Sequence, residues 1–525
     1  MNERHRPLWL GLFIVAVAAV LRIVPASRQD LWADELFSLA VATGHSLEHP
    51  AAAATPALGD FVEPPGGVPA SALQRYLQHE APAAGARRVV RAVLLSDTSP
   101  PLYYLTLNRW TRLVGTSDAA LHGYSVLWSL ATLPLLWVLG RRVGGPRQAV
   151  IACLLFALAP IGLYYSVEGR MYAMLWCLSA ASVWLTIRLH DRGDAGSAAL
   201  WAVVSTAGLL THYFYAFVWT ACIVWLALRP GLCRRRLLAA AIALVVLAVA
   251  PWYRMVPTSL AQWRVTGGWL DGRPEPVRLL TAPLLLGWSY LSGRGVWGGL
   301  RGADVVTAAV VLAAAILWLR RDRVAIAAGP LALVWLWAIA ACIGPVVFDA
   351  LRGTSTSLIS RYALAGMPAG LLLTALALGA APVRVGLAGL ALIVAAWLPG
   401  IRPAFEREGR RWEPFRSVAT KLRRAAQPGD LILVHSIPSG VLGIARYLPP
   451  DATVAAWVGQ LGRRRVPDDI VALLQGHPRV AFVRMHEVGE PAPEETWLRT
   501  NATLVREDRR AGVPILYFAE PSTRR

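Results

Sequence analysis

Apolar runs close to 20 residues long recur through the first 400 residues of this chain, and no other feature constrains its fold as strongly. As an α-helix, such a run crosses the ~30 Å hydrocarbon layer of a bilayer, where every backbone N–H and C=O must find its partner within the segment. Runs of this kind lie near residues 8–25, 120–140, 148–165, 172–188, 197–211, 213–229, 236–251, 303–319, 325–347, 361–380 and 384–399. The expected fold class is a polytopic α-helical membrane bundle of about eleven spans.

The connections give the orientation. With 52 Lys and Arg against 32 Asp and Glu, the net charge is +20, which in a soluble chain would point to nucleic acid. Here much of the arginine sits in short loops: Arg141, Arg142 and Arg147; Arg188 and Arg192; Arg229 and Arg234 to Arg236; Arg320, Arg321 and Arg323; Arg384. With Met1 on the cytoplasmic side, every short loop on that side is basic, as the positive-inside rule requires. A nucleic-acid partner is not expected, and the C-terminal part falls outside. The five cysteines show no CxxC or other metal spacing and read as packing residues. Arg4 and Arg6 before the first run and Val24-Pro25-Ala26 after it imitate a signal peptide, but an uncleaved span keeps the neighbouring acidic pair anchored.

Two apolar stretches fit poorly as spans. Residues 101–115 are short and carry Arg109 and Arg112, which suggests an amphipathic helix in the outer interface with Tyr and Trp at headgroup depth. Residues 277–300 are interrupted by Ser292-Gly293-Arg294-Gly295. The first outer loop then runs over about 26–119, with an Ala/Pro/Gly-rich part at 50–72 that reads as mobile and a short helix near 71–80. A second outer loop covers about 252–302. We therefore divide the chain into a membrane domain, 1–400, and a small extracytoplasmic α/β domain, 401–525. In the latter, strands at 431–435, 454–458, 480–484, 503–506 and 515–518 alternate with helices near 413–426, 438–447 and 466–475.

Polar residues gather at the outer ends of the spans in four places. These are Asp34-Glu35 after the first span, the Tyr164-to-Tyr172 turn with Glu168 and Arg170, His212-Tyr213, and Ser360-Arg361-Tyr362. Each has a plain reading. An acidic pair suits a helix start, tyrosines form an aromatic belt, arginines snorkel to headgroups, and a histidine caps a helix. Their convergence on one face favours a site instead. Arginine offers paired donors to a phosphate, and a carboxylate can take the proton of an acceptor hydroxyl or amine.

Together with Ser99-Pro100-Pro101-Leu102-Tyr103-Tyr104 and the Pro160 turn, these residues resemble the membrane-embedded GT-C glycosyltransferases over about residues 8–400. Within that superfamily they are most similar to bacterial relatives of protein O-mannosyltransferases and of the aminoarabinose transferase of lipid A. The resemblance implies inverting transfer of a hexosyl or pentosyl group from a polyprenyl-phosphate donor, at the outer face of a bacterial cytoplasmic (inner) membrane. The acceptor would be a glycan, lipid or protein. It matches Asp34 to the catalytic acidic position with Glu35 beside it, Arg170 and Arg361 to the donor phosphate, and Tyr164, Glu168, Tyr172, His212 and Tyr362 to the pocket. Because successive helix residues point ~100° apart, we expect Asp34 to be the base and Glu35 an orienting group. Lys421 is the only lysine, so any family role of a lysine falls to arginine. Some members use a divalent metal; Asp34, Glu35, Asp97, Glu168 and His212 are of ligating type, yet no spacing demands one.

The rival reading is a transporter or flippase of lipid-linked sugars. Such proteins place ionisable residues near the bilayer midplane and repeat their halves, whereas here the polar groups sit at one rim and no matching halves are visible. A scaffold whose outer domain binds a cell-wall partner leaves the rim arginines and the acidic pair without a role.

Overall fold

The long apolar runs become helices because backbone hydrogen bonds within the segment are the way to satisfy its polar groups in lipid. A computed structural model of the protein describes residues 6–97, 99–229, 231–292, 302–321, 329–405, 413–486, 492–510 and 512–519. Among these, eight helices are long and apolar enough to cross a membrane, or nine if the bent pair Pro146–Leu158 and Pro160–Val167 is one span. The chain is a mostly helical, multi-pass membrane protein. The fifth and sixth expected spans are shorter helices, Ala195–Leu209 and Tyr215–Leu228, of 15 and 14 residues. Within 277–300 a helix covers Pro276–Ser292, and positions 293–300 lie outside the described residues.

One compact unit comprises Met1–Arg28, His122–Arg254 and Gly268–Glu406. Its outward side chains include Leu247, Leu280 and Leu312, all exposed, as lipid permits. Helices approach closely where glycine leaves room: a Cβ on Gly208 would lie 2.2 Å from the Tyr215 ring. The bend in the helix pair, 61°, has a local cause. Pro160 has no N–H for the Phe156 carbonyl, four residues earlier. Arg22, a buried charge inside the first span, meets that end. Its Nη2 donates to the Phe156 carbonyl (3.0 Å), its Nη1 to Ala157 and Ala18 (both 3.2 Å), and its Nε to Ser129 Oγ (2.8 Å). Hydropathy passes over this residue; the broken helix explains it.

The other unit comprises Gln29–Leu121, Met255–Gly267 and Arg407–Arg525. Its sheet has strands β1 (Val68–Pro69), β2 (Leu431–His435), β3 (Thr453–Trp457), β4 (Arg479–Arg484), β5 (Thr503–Arg510) and β6 (Val513–Ala519), in the order β1-β3-β2-β4-β6-β5. β2 is parallel to both β3 and β4, and all five of its residues are buried, as a central parallel strand requires. β5 forms an edge protected by charged residues from Arg506 to Arg510. Strands β2 to β6 fall where hydropathy places them, whereas β1 and helix Pro493–Asn501 escape it.

Two expectations for the first loop are corrected here. The Ala/Pro/Gly-rich part is held by the buried Asp60, which takes both Arg91 Nη groups (2.5 and 2.7 Å), Ser46 Oγ (2.6 Å) and the Thr55 N–H (2.7 Å). Burial alone would raise this carboxyl, but those donors outweigh it and hold it at about 2. Helix Leu102–Val114 buries Tyr103 and Tyr104 inside the unit instead of turning them to headgroups, and the Tyr104 hydroxyl donates to Asp97 Oδ2 (2.6 Å).

Buried Glu48 accepts the Thr266 N–H (2.6 Å) and Oγ1 (3.0 Å). Desolvation still pushes its carboxyl up to about 7, against the pull of the Thr266 bonds and Arg264. An acid whose folded value exceeds its unfolded value costs stability as pH rises through that window. Buried His45, lowered to about 4, acts oppositely below its ordinary value, so the informative quantity is a difference between two proteins. The apparent melting temperature of Glu48→Gln relative to wild type should rise between pH 5 and pH 8, and a pH-independent difference would show that Glu48 is not the group responsible.

Candidate functional site

In the first unit, the turn between Val167 and Tyr172 is fixed by its backbone. Ser125 Oγ donates to the Glu168 carbonyl, and so does the Arg170 N–H at 2.7 Å. Glu168, Arg170, Tyr172 and His212 are all buried, while Tyr164, Arg361 and Tyr362 are partly buried. Aromatic rings connect these residues in an unbroken series. Tyr164 packs edge-on to Tyr165 (centroids 4.9 Å apart), Tyr165 on Tyr172 (5.0 Å), and Tyr172 on His212 (6.1 Å). His212 then meets Phe214 (5.7 Å), and Phe214 meets Tyr362 (5.3 Å). The Phe214 N–H donates to His212 Nδ1 (3.2 Å), which sets the tilt of the imidazole. At the end of the series the Arg361 guanidinium lies over two rings, Trp269 (5.0 Å) and Tyr362 (5.6 Å). Tyr172 is within electrostatic reach of Arg361, Arg170 and Glu168, and Tyr165 hydrogen-bonds Ser360. The structure thus brings together the seven expected residues of this unit, and adds Tyr165, Phe214 and Trp269.

Arg361 owes its position to a carboxylate that no sequence motif marks. Buried Asp349 Oδ1 accepts the Thr356 N–H (2.8 Å) and the hydroxyls of Thr354 (2.7 Å) and Thr356 (2.6 Å), while Oδ2 accepts the Ser357 N–H (2.7 Å). These bonds hold the loop that leads into the short helix Ser360–Gly366. The same loop pairs with the chain beside Trp269, through Ser355 N–H to the Leu270 carbonyl (3.0 Å) and Gly272 N–H to the Gly353 carbonyl (3.1 Å). The tryptophan is carried under the guanidinium in this way. The only sequence signal was an acid at the end of an apolar helix.

In the second unit, Asp34 and Glu35 occupy the first turn of helix Ala33–Ala42. Glu35 is fully buried, and its Oε2 accepts the Trp32 N–H (3.1 Å), half of a capping box. Asp34 is partly buried, and its carbonyl accepts Ser38 Oγ (3.0 Å). Asp97 accepts the Ser99 N–H (2.8 Å) in addition to Tyr104. Among the described residues no group of three or more His, Cys, Asp or Glu is arranged to hold a metal ion.

Removing Asp349 leaves two buried N–H groups without an acceptor, at roughly 1–3 kcal/mol each. Asp349→Ala should lower the apparent melting temperature and open residues 353–359 to protease, with Asp349→Asn intermediate. Unchanged protection in the alanine variant would remove Asp349 from the positioning of Arg361.

Part of the chain matches a known family model, and solved structures share its fold. Residues 98–254 match the model of the dolichyl-phosphate-mannose-protein mannosyltransferase family. No curated protein matches the chain by sequence. Among solved structures it is similar to ArnT from Cupriavidus metallidurans in the apo state, with TM-score 0.56, 14% identity and 97% of each chain covered. It is also similar to ArnT from the same organism bound to undecaprenyl phosphate, with TM-score 0.57, 14% identity and the same 97% coverage of each chain. At that identity the likeness is one of fold. It agrees with the GT-C resemblance of the sequence motifs, and the family match falls on the segment carrying the Pro100-Pro101 element, the Glu168-to-Tyr172 turn and His212.

Proposed function

We propose that this chain is a membrane glycosyltransferase that moves a sugar from a polyprenyl-phosphate donor to an acceptor hydroxyl or amine at the outer face of the cytoplasmic membrane, with inversion at the anomeric carbon. The observation that carries the reading is the cluster in which Arg170 and Arg361 are held among Tyr164, Tyr165, Tyr172, His212 and Tyr362. A planar guanidinium stacked on aromatic rings is held in one orientation, and its paired donors match the geometry of a phosphate. The rings themselves offer apolar surface. Supporting it are the family match over residues 98–254 and a fold similar to one solved with undecaprenyl phosphate.

The chemistry follows from charge. The acceptor oxygen or nitrogen attacks the anomeric carbon as the bond from that carbon to the phosphate oxygen breaks. The electron pair leaves on the polyprenyl phosphate, where Arg170 and Arg361 stabilise it. Asp34 takes the acceptor proton, while Glu35 holds the turn on which Asp34 sits. Glu168 tempers the positive charge of the two arginines. Asp34, Glu35, Asp97, Glu168 and His212 remain the residues of metal-ligating type.

The test uses the purified protein in lipid with a panel of polyprenyl-phosphate sugars, reading release of free polyprenyl phosphate. Release should occur with one sugar class and fall about 10²–10⁴-fold in Asp34→Asn, the usual worth of a general base. Full activity in that variant would take Asp34 out of the mechanism. No release with any donor, combined with movement of donor across the bilayer, would establish the transporter reading. Arg361→Ala should weaken polyprenyl-phosphate binding roughly tenfold or more, with Arg361→Lys recovering part of it for want of the planar fork. Equal affinity in all three proteins would count against the phosphate role.

A further inference from the structure

Three consecutive N–H groups lead into helix Ala33–Ala42, those of Leu31, the N-cap Trp32 and the first helical residue Ala33, and each is held by a side chain. The Leu31 N–H donates to the Tyr447 hydroxyl (2.9 Å), the Trp32 N–H to Glu35 (3.1 Å), and the Ala33 N–H to Glu413 Oε2 (3.0 Å). Two of the three acceptors come from beyond residue 400, more than 370 positions away in the chain. The first N–H groups of a helix have no partner within it, so whatever accepts from them sets where the helix starts and how its first turn is rotated. Asp34 is the next residue after Ala33.

Both acceptors are themselves fixed. The Tyr447 hydroxyl donates to Asp118 Oδ2 (2.8 Å), whose carboxylate is also paired with Arg446 (2.8 Å) and with Arg416. Arg416 packs its guanidinium over the Tyr447 ring at 5.0 Å, and its backbone N–H donates to Asp30 Oδ2 (3.3 Å). Glu413 Oε1 bonds His486 Nε2 (2.8 Å), and His486 Nδ1 bonds Ser436 Oγ (2.9 Å). His486 has φ of 54°, the one non-glycine residue in the left-handed region among those described, a conformation that its surroundings must impose. Gly440 leaves the room for it, since a Cβ there would lie 1.9 Å from Ser436 Oγ and 2.9 Å from His486 Nδ1. Ser436, His486 and Glu413 are the residue types of a hydrolytic triad. Ser436, however, is only 1% exposed, and the second oxygen of Glu413 is engaged by Ala33, so the arrangement serves to hold a carboxylate in place.

We propose that Glu413 and Tyr447 are positioning residues for sugar transfer. Through the backbone of Leu31 and Ala33 they set the location of Asp34, so the segment after residue 400 takes part in the reaction without touching the sugar. This inference rests on Asp34 being the base. Misplacing a catalytic group by about 1 Å can cost up to ~100-fold in rate while leaving ground-state binding intact.

The experiment measures kcat and donor KM for polyprenyl-phosphate release in the full-length protein, with melting temperature as a control for folding. Glu413→Ala should lose about 10–100-fold in kcat with donor KM within about twofold. Glu413→Gln should recover most of that, because an amide oxygen can still accept from Ala33. Tyr447→Phe should lose kcat in the same manner and to a smaller degree. Combined with Asp34→Asn, Glu413→Ala should add almost nothing, since both act on one group. The proposal is overturned if Asp34→Asn is inactive while a folded Glu413→Ala keeps its kcat, or if the two losses simply multiply. Should Glu413→Ala fail to fold, Tyr447→Phe decides: lost kcat at constant KM supports the brace, and an unchanged kcat overturns it. Full activity in Asp34→Asn overturns the general-base reading first and takes the brace with it.

Discussion

A backbone carbonyl or N–H away from water must have a partner, and the structure answers that demand at many points. In the apolar helices the answer is internal and needs no side chain. Where proline breaks the pattern at Pro160, the orphaned Phe156 carbonyl is met by a guanidinium from another helix. Arg22 is charged and buried inside a span, which would be costly if it faced lipid. Turned onto two carbonyls at the end of a helix, where the dipole is negative, it closes the break that lets the chain turn toward Tyr164, Glu168 and Arg170.

The loops meet the same demand with carboxylates. Asp60 holds Thr55, Asp97 holds Ser99, Glu48 holds Thr266, Asp349 holds Thr356 and Ser357, Glu63 holds Val458, and Glu413 holds Ala33, in each case through a backbone N–H. In a chain with 32 acids against 52 bases, several of the acids thus serve as staples for irregular backbone. An acid near a candidate site is therefore as apt to be holding the loop as to be moving a proton. Glu35 illustrates the holding role, since its carboxylate is turned back onto the Trp32 N–H.

The arginine-bearing cluster obeys a related logic. Arg361 is placed by the Asp349 staple and by short backbone pairing that brings Trp269 beneath it, and the aromatic series from Tyr164 to Tyr362 fills the space around it. Tyr164, Tyr165 and Tyr172 pack edge to face, while His212, Phe214 and Tyr362 continue the series at tilted angles.

The long apolar helices and strands β2 to β6 were legible in the amino-acid order, although two of the eleven expected spans are helices of only 15 and 14 residues. Hydrophobic runs and alternation report local structure directly, because lipid and a packed sheet each impose a period on the chain. That order could not show that the Ala/Pro/Gly-rich loop is held by Asp60, that Tyr103 and Tyr104 are buried, or that Trp269 joins the arginine cluster. It was equally blind to β1, a two-residue strand that pairs with β3 nearly 400 positions later, and to Glu413 and Tyr447 holding the start of the acidic helix. Those features depend on which distant group meets which backbone atom. Periodicity records the face a residue takes and carries nothing about the partner waiting there, so they were settled by the tertiary structure alone.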